Sequence, residues 1–164
     1  MDPAAFSETY HALHAQVWSF AARRVGPEAA DDICAETFLI AWRKADQLPG
    51  EPLPWLYGVA RNVVLRHQAE FSRNDATRTA LALERPTAEV QEQDPGLWEA
   101  WAQLSDGERE LLALVAWEEL KVRDAASVLG VTPAVFSVRL HRARKHLERL
   151  LAAPVPTTHQ EAIR

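Results

Sequence analysis

Apolar side chains recur every three or four residues along most of the chain, the period of a helix with one buried face. Phe6, Tyr10, Leu13, Val17, Phe20 and Ala21 draw one such stripe, and Asp2-Pro3 supplies a cap and proline start for a helix reaching about Val25. Gly26-Pro27 breaks it and opens a second helix, expected from Pro27 to about Gln47, with Ile33, Phe38, Ile40, Ala41 and Trp42 on its apolar side. After the loop Leu48-Pro49-Gly50-Glu51-Pro52, Pro52 and Pro54 start a third helix to about Phe71, striped by Leu56, Val59, Ala60, Val63 and Val64. Three helices with apolar faces to share predict one bundle over residues 1–74.

The stripe is lost over residues 75–93, which contain Pro86 and read as a linker. Periodicity returns with Asp94-Pro95 and a helix carrying Leu97, Trp98, Trp101 and Leu104. Ser105 followed three residues later by Glu108 is a capping box, opening a helix with Leu111, Leu112, Leu114, Val115 and Trp117 that ends near Glu119. A short helix over Val122–Leu129 then meets Gly130, placed where a helix C-terminus needs a left-handed residue. Thr132 offers an N-cap hydroxyl, Pro133 suits the first helical position, and Phe136, Leu140, Ala143, Leu147 and Leu150 stripe the helix that follows. Short helix, tight turn and longer basic helix make the grammar of a helix-turn-helix. The expected fold is all-α: two small helical bundles, residues 1–74 and 94–153, joined by the linker, with a flexible tail at 154–164.

Charge changes the picture at both ends. The chain carries a net −5, yet residues 121–150 hold seven Lys or Arg against only Asp124 and Glu148. Arg139, His141, Arg142, Arg144 and Lys145 crowd the face of the last helix opposite its apolar stripe, where phosphates could be met. Residues 84–119 are the reverse, with ten acids against Arg85 and Arg109. Acids also begin the second helix (Glu28, Asp31, Asp32, Glu36), where they suit the positive helix end. A plain amphipathic helix pair with solvated charges would account for the basic face as well; the ordered series of Gly, cap and Pro signals favours DNA.

Chemistry is sparse. Cys34 is the single cysteine, so no intramolecular disulfide can form. No Gly-rich phosphate loop, His-Glu-x-x-His or Cys-x-x-Cys motif is present, and the six His stand at no ligand spacing, so no catalytic residue, cofactor or metal is expected. No apolar run approaches eighteen residues and no charged-then-apolar leader begins the chain, which predicts a cytoplasmic protein without membrane insertion.

The stretches DDICAETFLIAWRKADQL (31–48), PWLYGVARNVVLRHQ (54–68) and RLHRARKHLERLL (139–151), in this order and with a linker between, resemble bacterial sigma factors of the extracytoplasmic-function (ECF) group, the minimal two-domain members of the sigma-70 family. The resemblance implies no enzyme but a transcription initiation factor, with core RNA polymerase and promoter DNA as partners and an anti-sigma factor holding it in check. It implies core polymerase binding by Asp31, Asp32, Glu36, Thr37, Phe38 and Trp42. Melting and reading of the minus-ten element would fall to Trp55, Tyr57, Arg61, Asn62 and Arg66, since an unstacked base needs a pocket and a strand needs basic and aromatic contacts. Thr132, Val135, Ser137, Arg139, Arg142 and Arg144 would meet the minus-thirty-five element in the major groove. The chain departs from the family pattern in Ala35, where Gln is usual, in fewer arginines after the third helix, and in the apolar start of the recognition helix, Ala134-Val135-Phe136.

Two other classes remain open from the residues. A conventional helix-turn-helix regulator with an N-terminal dimerisation or sensing bundle would form a stable homodimer on a palindromic site, but leaves Trp55 to Arg66 unexplained. A helical enzyme lacks any motif to support it.

Overall fold

Five of the seven α-helices among the described residues begin on a proline, whose fixed φ and missing N–H suit the first helical position. The computed structural model describes residues 2–74 and 94–153; the expected linker and tail lie outside them. The helices are α1 (Pro3–Val25), α2 (Pro27–Arg43), α3 (Pro52–Asn74), α4 (Pro95–Gln103), α5 (Asp106–Ala116), α6 (Val122–Leu129) and α7 (Pro133–Ala152). The second helix stops at Arg43, four residues before the expected end, and a 3₁₀ turn over Ala45–Gln47 carries the chain out of it.

Helices α1, α2 and α3 pack on one another. Val17 and Phe20 of α1, Cys34, Phe38 and Ala41 of α2, and Leu56, Tyr57 and Ala60 of α3 are buried between them. A neighbouring cluster of Ala21, Ala30, Ile33, Val63 and Val64 extends that core. Burial pushes the Cys34 thiol up to about 11, with nearby Asp31 adding to the effect, so it is a small hydrophobe without nucleophilic character.

Helices α4, α5 and α6 pack around α7. Asp94 accepts a hydrogen bond from Leu97 N at 3.1 Å, and the Ser105–Glu108 capping box is complete in both directions. Arg109, buried, donates to the carbonyls of Trp101 at 3.1 Å and Ala102 at 2.7 Å, closing the C-terminal end of α4, where a cation is favoured. Glu119 adopts a positive φ of 53°, which ends α5 early and turns the chain into α6. Gly130 sits at φ 67°, ψ 32°, the left-handed residue that ends α6, and Thr132 Oγ1 accepts from Val135 N at 3.2 Å to start α7. Phe136, Leu140 and Ala143 are buried, with Leu147 and Leu150 packed against them, as the stripe predicts.

The two bundles are not independent bodies. Helix α3 packs on α6, and one apolar cluster runs from Phe20 and Tyr57 through Trp98 and Leu111 to Phe136.

Candidate nucleic-acid interface

On α2, the acidic start of the helix is exposed, and several of its side chains are braced. Asp31 accepts from Trp18 Nε1 at 2.7 Å, while Asp32 lies open to solvent. Glu36 forms an ion pair with Arg66 of α3, which joins a candidate polymerase contact to a candidate minus-ten contact. Trp42 is 44% exposed and stands edge-to-face with Phe6 at 4.9 Å. Leu39, three residues before Trp42, is 48% exposed and escaped the sequence reading, although that spacing puts the two on neighbouring turns of one face. Thr37 and Phe38 lie beneath this surface. The Thr37 hydroxyl donates to the Ile33 carbonyl at 2.7 Å, and the Phe38 ring packs edge-on against Tyr10.

On α3, Asn62 and Arg66 are exposed, Arg61 is half-buried and Trp55 is partly buried against the core. Tyr57 is inside: its ring stacks on Phe20 at 4.8 Å, and burial beside the Glu118 carboxylate pushes its hydroxyl well above its ordinary value. The signal was present in the sequence, because Tyr57 lies three residues before Ala60 and seven before Val64, on the same stripe.

On α7, Thr132 spends its hydroxyl on the helix cap. Val135, Ser137, Arg139, Arg142 and Arg144 all face solvent, and Val138, at 52% exposed, joins Val135 in an apolar patch beside the arginines. Arg139 and Arg142 line a groove of about 490 Å³ together with Arg61 of α3 and with Glu108 and Glu110 of α5. Candidate contacts to two separate promoter elements thus share one cleft. Glu108 is held below its ordinary carboxylate value: burial would raise it, but the Ser105 amide and hydroxyl and the His146 ring, 2.8 Å away, outweigh that.

Four further charged residues escaped the sequence reading. Arg24, buried at the end of α1, donates to Glu118 at 3.1 Å and to Glu110 at 2.8 Å, and its guanidinium lies 3.5 Å above the Phe20 ring centroid. Arg23 meets Glu118 at 2.5 Å. Pairs some ninety residues apart carry no local spacing signal. Among the described residues no cluster of His, Cys, Asp or Glu could hold a metal ion, and no helix is long and apolar enough to cross a membrane.

Comparison with known proteins agrees with this layout. Residues 9–73 match the model for sigma-70 region 2, and residues 96–147 match that for sigma-70 region 4. The ECF RNA polymerase sigma factor SigM of Bacillus subtilis is 30% identical over 129 residues, covering 74% of this chain and 78% of that protein. A Xanthomonas campestris protein named probable RNA polymerase sigma factor RfaY is 33% identical over 130 residues, covering 71% of this chain but only 32% of that protein, so the chain spans about a third of its length. The structure of CnrH in complex with the cytosolic domain of CnrY superposes with a TM-score of 0.63 at 26% identity, covering 92% of this chain and 90% of CnrH. With both regions present, in order, on an all-α scaffold that ends in a helix-turn-helix, the chain belongs to the ECF group of the sigma-70 family of RNA polymerase sigma factors.

Proposed function

We propose that this chain is a dissociable subunit of bacterial RNA polymerase that directs the core enzyme to particular promoters and itself performs no chemistry. One observation carries the reading: an acidic, aromatic protein-docking face on α2 of one bundle is paired with a cationic recognition helix on the other, whose Arg139, Arg142 and Arg144 form no ion pair among the described residues. In this reading residues 1–74 hold the polymerase and minus-ten functions, residues 94–153 read the minus-thirty-five element, and 75–93 join them. Asp31, Asp32, Glu36 and Trp42 touch polymerase, while buried Thr37 and Phe38 hold that face in shape. Arg61, Asn62 and Arg66, with Trp55, meet the minus-ten strand; Tyr57 supports them from the core. Arg139, Arg142 and Arg144 hold phosphates and base edges, with Ser137 beside them and Val135 against a thymine methyl, on a helix set by the Thr132 cap.

The place of action is the cytoplasm, where polymerase and chromosome lie. An anti-sigma factor is a further partner in this reading, and CnrH, which shares the fold at 26% identity, was solved bound to another protein, the cytosolic domain of CnrY. The test is co-elution with core RNA polymerase together with transcription from the promoter upstream of the chain's own gene. A stable complex and a new specific transcript are expected. A homodimer that binds a palindrome without polymerase would replace this reading with a conventional helix-turn-helix regulator.

A further inference from the structure

We infer that the cleft walled by Arg61, Arg139 and Arg142 is a binding site for a nucleoside di- or triphosphate, which competes with promoter DNA for the recognition helix. The site stands on its own geometry; its effect on transcription rests on the sigma reading. The three guanidiniums come from two helices, and none of them forms an ion pair or side-chain hydrogen bond among the described residues. Arg61 is half-buried in that state. A guanidinium withdrawn from water without a partner is costly, and an anion in the cleft offsets that cost. Arginine's planar fork matches phosphate oxygens in pairs, and three forks on one cleft suit a chain of phosphates better than a single one.

The two acids of the cleft leave this charge standing, because both are engaged elsewhere. Glu110 gives one oxygen to Arg24 Nη2 at 2.8 Å and the other to Arg24 Nε at 3.2 Å. Glu108 accepts from the Ser105 amide at 2.9 Å with one oxygen and meets His146 Nδ1 at 2.8 Å with the other. Gly107, also in the lining, lies in the first turn of α5, where amide N–H groups lack an intrahelical acceptor and the helix end is positive. Beside the charges stand half-buried Leu129 and Val131, an apolar wall of the kind a nucleobase face packs against. The volume of about 490 Å³ lies within the range of small-molecule sites, roughly 300–1,000 Å³. Arg139 and Arg142 cannot hold a ligand's phosphates and the DNA backbone together, so nucleotide and duplex exclude each other.

The experiment titrates the full chain with ATP, GTP and inorganic triphosphate by calorimetry, in chelator and at fixed ionic strength. Each is then set against a minus-thirty-five duplex from the chain's own promoter. Saturable binding is expected, with a nucleotide at least about tenfold tighter than inorganic triphosphate and duplex displaced as the cleft fills. Position 107 tests the place of binding, since it is exposed and a Cβ there meets nothing within 4 Å. Gly107→Glu should weaken nucleotide binding roughly tenfold and Gly107→Lys should tighten it, both with unchanged helicity by circular dichroism. Absence of binding, equal affinity for inorganic triphosphate and both nucleotides, or indifference to charge at position 107 overturns the site. Nucleotide that binds and leaves the duplex in place overturns the competition. A chain that binds nucleotide as described but neither duplex nor polymerase overturns the sigma reading instead.

Discussion

The surfaces of α2 and α7 are both charged, but they are built differently. On α2 three of the polar and aromatic groups are held, Asp31 by Trp18, Glu36 by Arg66 and Trp42 by Phe6, while Asp32 stays open to solvent. On α7, Arg139, Arg142 and Arg144 form no ion pair among the described residues. A protein partner rewards side chains already fixed in one geometry, since less rotamer freedom is lost on docking. A polyanion rewards mobile cations that exchange condensed counterions for phosphates, a gain that scales with charge and falls with salt. The contrast in bracing fits a protein partner for the first surface and a nucleic acid for the second.

The largest expected effect separates the two sides of α7. Phe136→Ala empties a fully buried position and should destabilise the second bundle by about 3–5 kcal/mol, seen in chemical denaturation. Arg139→Ala, on the opposite side, should leave that transition in place. Next, Asp31→Asn, Asp32→Asn and Trp42→Ala together should cost about 2–4 kcal/mol of core polymerase affinity by titration, with helicity unchanged. Equal affinity would remove α2 from the interface. Phe38 is unsuitable for this test, because its buried ring would confound docking with folding.

Arg139→Ala with Arg142→Ala should weaken promoter affinity by about 1–3 kcal/mol and flatten its salt dependence by about one unit of slope for each phosphate no longer neutralised. A weaker affinity at constant slope would mean that the arginines read bases alone. The smallest effect lies at the capping box. Ser105→Ala should cost about 1 kcal/mol of stability. Glu108 titrates below its ordinary 4.5 in the fold, so its contribution is present above that pH and lost as pH falls through the lower folded value. Glu108→Gln should remove that part of the acid sensitivity in a pH series of denaturation midpoints.

Much of this was legible in the chain because helix ends announce themselves locally. Pro27, Ser105, Gly130 and Thr132 each act within four residues, and the α7 stripe is buried as read. Boundaries slipped where the deciding geometry has no residue signature, as at Glu119, a non-glycine residue with positive φ. The cationic face of α7 could be read because solvent-facing charge needs no partner to be recognised. Tyr57 was assigned to DNA by resemblance while its periodicity pointed inward, and the periodicity described where it sits. Arg24 and Glu118 could not be read, since neither helix period nor cap chemistry links residues that far apart.

Gly130 limits which neighbouring sequences are open to this protein. Nothing lies within 4 Å of a Cβ placed there, so volume sets no limit on its replacement. Its φ of 67° does, and the filter is one of backbone handedness. Asn can enter that region at modest cost and a β-branched residue cannot. A variant library at position 130 should therefore sort by tolerance of the left-handed region and ignore side-chain size, whereas at Phe136, which is wholly enclosed, it should sort by size. Two positions six residues apart in one motif thus obey unrelated rules of substitution.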